Sequence, residues 1–328
     1  MIGKLICKIP FFGSKYRIVR KRSATNKNLK YYSGRFFKHT LTYSVSQESM
    51  RSEIIMDYHI IEKGLTMPEK RKGFGQAVVA RLISGIRTYI NQFGLDDCSV
   101  QTGVAVLKEY YIEHESNPVL EDDLQVSLKE FLGEHPSIER MRQYRSSREQ
   151  FFENVHADFE KFAKSRHSVR NLSGETTIDD ILDAVAIAMQ SPSSCNRQPW
   201  KVHLVCEKQK IVDCLQFQNG NRGFTHLINK LIIVTVDARS FGHTEMNDVY
   251  VNGGLFSMSL AYALHYKKIG SCMLNWSVTE QNDMGLRQLL NIPDWEMIIV
   301  MIGCGKPPDY FESPLSLRKN YSDIIFTH

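Results

Sequence analysis

Apolar positions recur at helical spacing through the first half of the chain and at alternating or continuous spacing through the second. Ile54, Ile55, Tyr58, Ile61 and Leu65 return every third or fourth residue, which predicts a helix over 49–64 with Gly64 as its C-terminal cap. The stretch 68–75 reads as a loop, and further helical patterns run over 77–93 and 103–113. Polar breaks fall at Glu115-Ser116-Asn117-Pro118 and around Gly133 to Pro136. Residues 48–145 therefore read as an all-helical domain. From Ser146 one long polar amphipathic helix, carrying Phe151, Phe152, Val155, Phe159 and Phe162, is expected to lead into Arg166.

Beyond Arg170 the texture changes to mixed α and β. The run 177–189 is amphipathic, and Thr177-x-x-Asp180 opens it in the manner of a capping box. Residues 201–206 alternate as a strand does, and Leu231 to Val236 is a continuous β-branched run of the kind that a sheet centre hides. Residues 247–267 form a helix apolar on nearly every side, so burial on nearly every side is expected. A short strand over 271–274, a helix over 280–291 stopped by Pro293, and a buried strand over 296–302 complete the pattern.

A chain of 328 residues with 42% hydrophobic and 23% charged positions has material for two units with a proper core. No apolar run reaches the roughly 18 uncharged residues of a membrane span, and residues 1–10 are interrupted by Lys4 and Lys8. A cytoplasmic location is the expectation. The seven cysteines, Cys7, Cys98, Cys195, Cys206, Cys214, Cys272 and Cys304, are odd in number and nowhere spaced Cys-x-x-Cys. That argues against a disulfide framework and a zinc cage, and for reduced thiols that mostly fill the core. The net charge of +5 hides an asymmetry: residues 1–47 hold eleven Lys or Arg and no acid. This basic arm, with Ile2, Leu5, Ile6, Ile9, Phe11 and Phe12 beside its charges, is either a solubilising lead-in or a peripheral contact with an anionic membrane surface. No nucleic-acid recognition motif accompanies the charge.

The most informative residues are two polar runs. Arg166-His167-Ser168-Val169-Arg170 gathers two guanidiniums, an imidazole and a hydroxyl at the end of a helix, which suits a phosphate tail and a polar ring edge. Ser191-Pro192-Ser193-Ser194-Cys195-Asn196-Arg197-Gln198-Pro199-Trp200 is a turn of small polar residues that enters an apolar strand. In this order they resemble the nitroreductase family of flavin enzymes, over roughly residues 155–326. The resemblance implies an α+β fold, a three-layer sandwich with a mostly antiparallel central sheet, here preceded by the helical domain. It divides the chain into a basic arm 1–47, a helical domain 48–145 and an FMN domain 146–328.

By the same resemblance Arg166, His167, Ser168 and Arg170 hold FMN, the cations at its phosphate and the middle residues toward the ribityl chain and ring edge. Pro192, Ser193, Ser194 and Asn196 pack on the flavin bound chiefly by the other subunit, so a homodimer with shared sites is implied. Asn221, in Asn219-Gly220-Asn221-Arg222-Gly223, stands where the family places an Asn beside the pyrimidine edge, or serves the turn itself. Arg318 stands where the family supplies a last phosphate cation, while Ser316 replaces a second cation that some members carry. After the strand at 271–274, Leu274-Asn275-Trp276-Ser277 departs from the family's Pro-x-Glu-Gly, leaving backbone donors for flavin N5 and Trp276 as a cover for the ring. Cys195 has no base nearby in sequence and is not read as a nucleophile.

The implied reaction is hydride transfer from NAD(P)H to a small organic acceptor, a nitro compound or a quinone, by a ping-pong mechanism with no side chain acting as a strong acid or base. Gly253-Gly254 is read as helix packing at the dimer interface, and Arg239, Phe241 and His243 as either substrate-facing residues or a solvent loop. The phrase Tyr58-His59-Ile60-Ile61-Glu62-Lys63-Gly64-Leu65 resembles the extension of nitroreductase-like proteins found among polysaccharide biosynthesis functions. His59, Glu62 and Lys63 lie on adjacent turns, as a lid or docking surface over the flavin or as a polar network at a domain joint. A non-enzymatic accessory of cell-envelope polysaccharide biosynthesis is the alternative function.

Overall fold

The computed structural model describes residues 10–39, 46–115 and 119–328, with side chains from Lys15 onward. The apolar arm positions Ile2, Leu5, Ile6, Ile9 and Cys7, and the break at Ser116 to Pro118, lie outside the described residues, as do the side chains of Phe11 and Phe12. Within the arm, residues 10–39 form one long helix, α1 (Pro10–His39), nearly all exposed from Lys15 onward, and Thr25 Oγ1 donates to the carbonyl of His243 at 3.0 Å.

Four helices follow: α2 (Gln47–Leu65), α3 (Gln76–Phe93), α4 (Cys98–Glu115) and α5 (Asp122–Gly133). Ser46 caps α2 by accepting from the Ser49 N–H, and Ser49 returns the bond, so the helix starts two residues earlier than expected. Gly64 is not the cap. The helix ends at Leu65 with Thr66 as its cap, and Gly64, in the last turn, leaves room for the Phe74 ring, which a Cβ there would approach to 2.0 Å. Ile54, Ile61, Val79, Ile86, Val104, Leu107, Leu128 and Phe131 form a hydrophobic cluster of these helices' own.

The long helix expected from Ser146 is broken into pieces. The helical run ends at Gly133; strand β1 (Tyr144–Ser147) comes first, then α6 (Arg148–Phe151), turns, and α7 (Phe159–Ser165). The amphipathic pattern there has two different causes. Phe151, Phe152 and Val155 are buried in the sheet domain's core, whereas Phe159 is 72% exposed. Asp158 starts a new helix by accepting from the Lys161 N–H, and Ser147 caps α6 in the same way through Gln150.

Next come α8 (Ile178–Ala188), with Thr177 Oγ1 accepting from the Asp180 N–H, β2 (Trp200–Val205) and α9 (Lys208–Leu215). Then follow β3 (Lys230–Asp237), α10 (Met246–Tyr266), β4 (Gly270–Asn275), α11 (Glu280–Leu290), β5 (Glu296–Gly305) and β6 (Tyr310–Ser313). The main sheet has the order β2-β3-β5-β4 with every neighbouring pair antiparallel, and β1 pairs with β6 in a second ladder. The β-branched run in β3 is internal to the sheet, as its continuous hydrophobicity requires.

Alternation along β3 separates two cores. Leu231 and Ile233 face a cluster with α9, α11 and the phenylalanines of 151–152, while Ile232, Val234 and Val236 face one with α8 and α10. The domain is thus a helix–sheet–helix sandwich, as expected. One expectation fails. Helix α10 is not buried all round: Tyr250, Val251, Gly254 and Leu255 are exposed along one stripe, with Met258 and Tyr262 partly exposed beyond them. Its apolar composition serves two surfaces, of which the sheet covers one.

Candidate functional site

Helix α7 ends at Arg166, which leaves it in an extended conformation. Ser165 Oγ and His265 Nε2 share a hydrogen bond at 2.8 Å and the Val169 N–H donates to the Ser271 carbonyl at 3.0 Å, so the stretch 166–170 is pinned between α10 and the first residues of β4. Arg166, His167 and Ser168 form one wall of a cavity of about 260 Å³. Ser316, Leu317 and Arg318 form a second, and Ile55, Tyr58 and His59 of α2 the third. The first and last phosphate-binding candidates, far apart in the chain, therefore meet.

The cavity is cationic, and the buried Glu62 carboxylate reaches it through His59. Among the described residues none of Lys63, Arg166, Arg170 and Arg318 pairs with a carboxylate, and the Arg318 guanidinium bonds only the Ser316 carbonyl. Burial, and then the neighbouring Arg318, push the Arg166 guanidinium below its usual range. His167 is lowered by burial and by the same two arginines, and its ring stacks on Tyr144 at 5.9 Å. Arg170 is buried over the Phe224 ring, 5.9 Å from its centroid, with Nη1 unpartnered. Such a set is costly to bury by itself and suits an anion.

The second polar run lies elsewhere. Cys195, Asn196 and Gln198 all have positive φ, of 52°, 54° and 49°, a dense strain for residues with side chains. The turn is held by the start of α10: the Ser194 N–H donates to Asn252 Oδ1 at 2.8 Å, Trp200 Nε1 to the Asn252 carbonyl at 3.0 Å, and Arg197 forks onto Glu245 at 2.9 Å. Pro192, Cys195 and Asn196 are exposed, while Ser193 and Ser194 are partly covered. Asn252 and His265 anchor the two runs to opposite ends of one helix, thirteen residues and about 20 Å apart. Within one chain the structure does not bring Pro192, Ser193, Ser194 and Asn196 to the Arg166 cavity.

Asn221 is buried and its Nδ2 donates to the Leu215 carbonyl at 2.7 Å, so its amide serves the turn. The loop after β4 is set by Gln218, whose Nε2 donates to the Asn275 carbonyl at 3.0 Å. Trp276 is fastened by its indole N–H to Asp283 at 2.8 Å and packs on the core cluster, while Leu274 is buried within it. Gly253 meets the sheet, since a Cβ there would fall 2.5 Å from Ile299 Cγ1, which corrects half of the interface reading; Gly254 has open space instead. Arg239 pairs with Asp237 over Trp295, and Phe241 lies under Arg197. Sequence reasoning missed Gln218, Asn252 and His265; a polar residue inside the apolar run of α10 was the available signal for the last two.

No curated protein matches the sequence. Solved structures similar to part of it include a nitroreductase-like protein from Streptococcus mutans, 18% identical over 53% of this chain and 99% of that one, with a TM-score of 0.47. A nitroreductase family protein from Streptococcus pneumoniae TIGR4 is 20% identical over 52% and 100%, with a TM-score of 0.44. An FMN-dependent nitroreductase from Clostridium difficile R20291 is 19% identical over 49% and 92%, with a TM-score of 0.41. Residues 163–219, which contain both polar runs, match the model of the nitroreductase family.

Proposed function

We propose that the chain is an FMN-dependent oxidoreductase whose sites are shared by two copies. The observation that carries the reading is the meeting of Arg166 and Arg318 around one cavity, neither ion-paired with a carboxylate among the described residues, with a buried Arg170 whose Nη1 lacks a partner. A phosphate ester with an attached polar ring is an anion of matching charge distribution. Arg166, His167, Ser168 and Arg318 would hold the phosphate end, and Arg170 the polar edge of the ring. The chemistry that bound FMN would supply is hydride transfer from NAD(P)H to a small organic acceptor such as a nitro compound or a quinone.

A cavity of about 260 Å³ is below the roughly 300 Å³ at which ligand pockets begin, and one wall is open. The exposed stripe of α10 supplies a way to close it. Two copies of α10 packed antiparallel about a twofold axis would bury Tyr250, Val251 and Leu255 against each other and carry each Pro192–Asn196 turn to the partner's Arg166 end. The turn's strained backbone and small side chains suit close approach to a ring.

The test is direct. Protein purified aerobically is expected to be yellow or to take up added FMN stoichiometrically, and Arg166→Ala and Arg318→Ala each to weaken uptake about ten- to hundredfold, the loss of a charge-assisted contact. A colourless preparation that takes up no FMN overturns the assignment.

A further inference from the structure

Helix α2 presents a continuous row to the sheet domain. Tyr58 and His59 line the cavity with Arg166 and Arg318, and one turn on stands Lys63. Past the helix end Met67 packs on the sheet domain's core, its Sδ 3.4 Å from where a Cβ on Gly223 would lie. The helix therefore runs from the Arg318 end of the site toward the turn at Asn221, about 12 Å from His59 to Met67.

Two groups in this row are short of partners, Glu62 fully buried and Lys63 partly so. Glu62 is fully buried, with Oε2 on His59 Nδ1 at 3.1 Å and Oε1 unpartnered. That bond fixes the imidazole with its other nitrogen free for the cavity. Among the described residues the Lys63 ammonium makes no hydrogen bond or ion pair. Burial, and then Arg170, push it below the ordinary amine range, and Lys63, Arg170 and Arg166 all act on the buried Cys272 thiol. Two partnerless cations brought together at a domain joint are a cost to the free protein, repaid when an anion arrives.

We infer that α2 is a third component of the cofactor site: His59, oriented by Glu62, joins Arg166 and Arg318 at the phosphate, and Lys63 joins Arg170 farther along the cofactor. This rests on the FMN reading.

The experiment compares FMN and riboflavin binding by wild type, His59→Phe, Lys63→Met and Lys63→Arg, with Arg166→Ala as reference, alongside thermal unfolding without flavin. His59→Phe is expected to weaken FMN about tenfold and riboflavin little, because only FMN carries the phosphate. Lys63→Met is expected to weaken FMN about tenfold while leaving the flavin-free protein equally or more stable, since an uncompensated charge has gone; Lys63→Arg is expected to keep most of the affinity. A purely structural Lys63 would move stability and affinity in the same direction. If wild type takes up FMN and Arg166→Ala loses it, but His59→Phe and Lys63→Met bind as wild type, the role of α2 is overturned and the FMN reading stands. If wild type takes up no flavin, it is the reading beneath that fails.

Discussion

Gly253 and Gly254 are neighbours in α10, yet a methyl group added to each would meet different surroundings. At Gly253 it would press on Ile299 at 2.5 Å, and Gly253→Ala is expected to destabilise the chain by about 1–3 kcal/mol in urea unfolding, through overpacking. At Gly254 nothing lies within 4 Å, so in dilute monomer Gly254→Ala is expected to gain up to ~1 kcal/mol of helix propensity. Equal effects would remove this distinction. His265 gives a second residue-scale expectation. Burial first, then Arg166 and His167, push its imidazole down to about 4. The unfolded chain therefore takes up this proton before the folded one, and the stabilising contribution is complete above about 6.5 and drains away as pH falls toward 4. Unfolding midpoints should fall through that window, less steeply in His265→Phe, whose ring would sit among Phe151, Phe152 and Phe162. A pH profile unchanged by the substitution would contradict it. At this scale the family resemblance singled out Arg166 and Arg318, and the structure brings the two to one cavity. It could not expose Gln218 or Asn252, whose polar groups matter only for the carbonyls and amides that folding places beside them.

Elements were legible where one physical cause produced the pattern. The β-branched run of β3 and the capped start of α8 stand within a residue or so of their expected ends, because burial and capping are local. Between 146 and 165 the apolar spacing mixes residues for the sheet core with residues on an open face, and only the caps Ser147 and Asp158 tell where the helices restart. Helix α1 lies largely on the surface. Ile18, Val19, Tyr31, Tyr32, Phe36 and Phe37 are exposed among its many cations, so it offers both terms of an interfacial helix, apolar area and positive charge. Vesicles containing anionic lipid are expected to co-sediment the full chain more than a version starting at Ser46, with the difference shrinking in high salt as surface attraction is screened. Equal partitioning of the two, or equal binding to neutral vesicles, would remove the claim.

At the scale of the whole molecule the two polar runs pose a geometric problem that one copy does not solve. They are anchored about 20 Å apart on α10, and the helix between them carries an uncovered apolar stripe. An antiparallel pairing of α10 answers both facts with one symmetry operation. On that proposal the sequence overstated the burial of α10 within one chain because composition does not say which chain hides an apolar face. Leu255→Lys is expected to shift the protein to monomer in light scattering and, with it, to lose flavin. Mixing gives the sharper experiment. Arg166→Ala leaves the turn intact, and a turn variant such as Ser194→Trp leaves the cations intact, so each homodimer has two damaged sites. In a heterodimer both lesions fall on one site and the other is whole. Random re-association of equal amounts should therefore restore flavin binding at about a quarter of all sites, a level neither variant reaches alone. Sites built within one chain would show no recovery on mixing, whatever the oligomeric state, and that result would sever the two runs from a common cofactor.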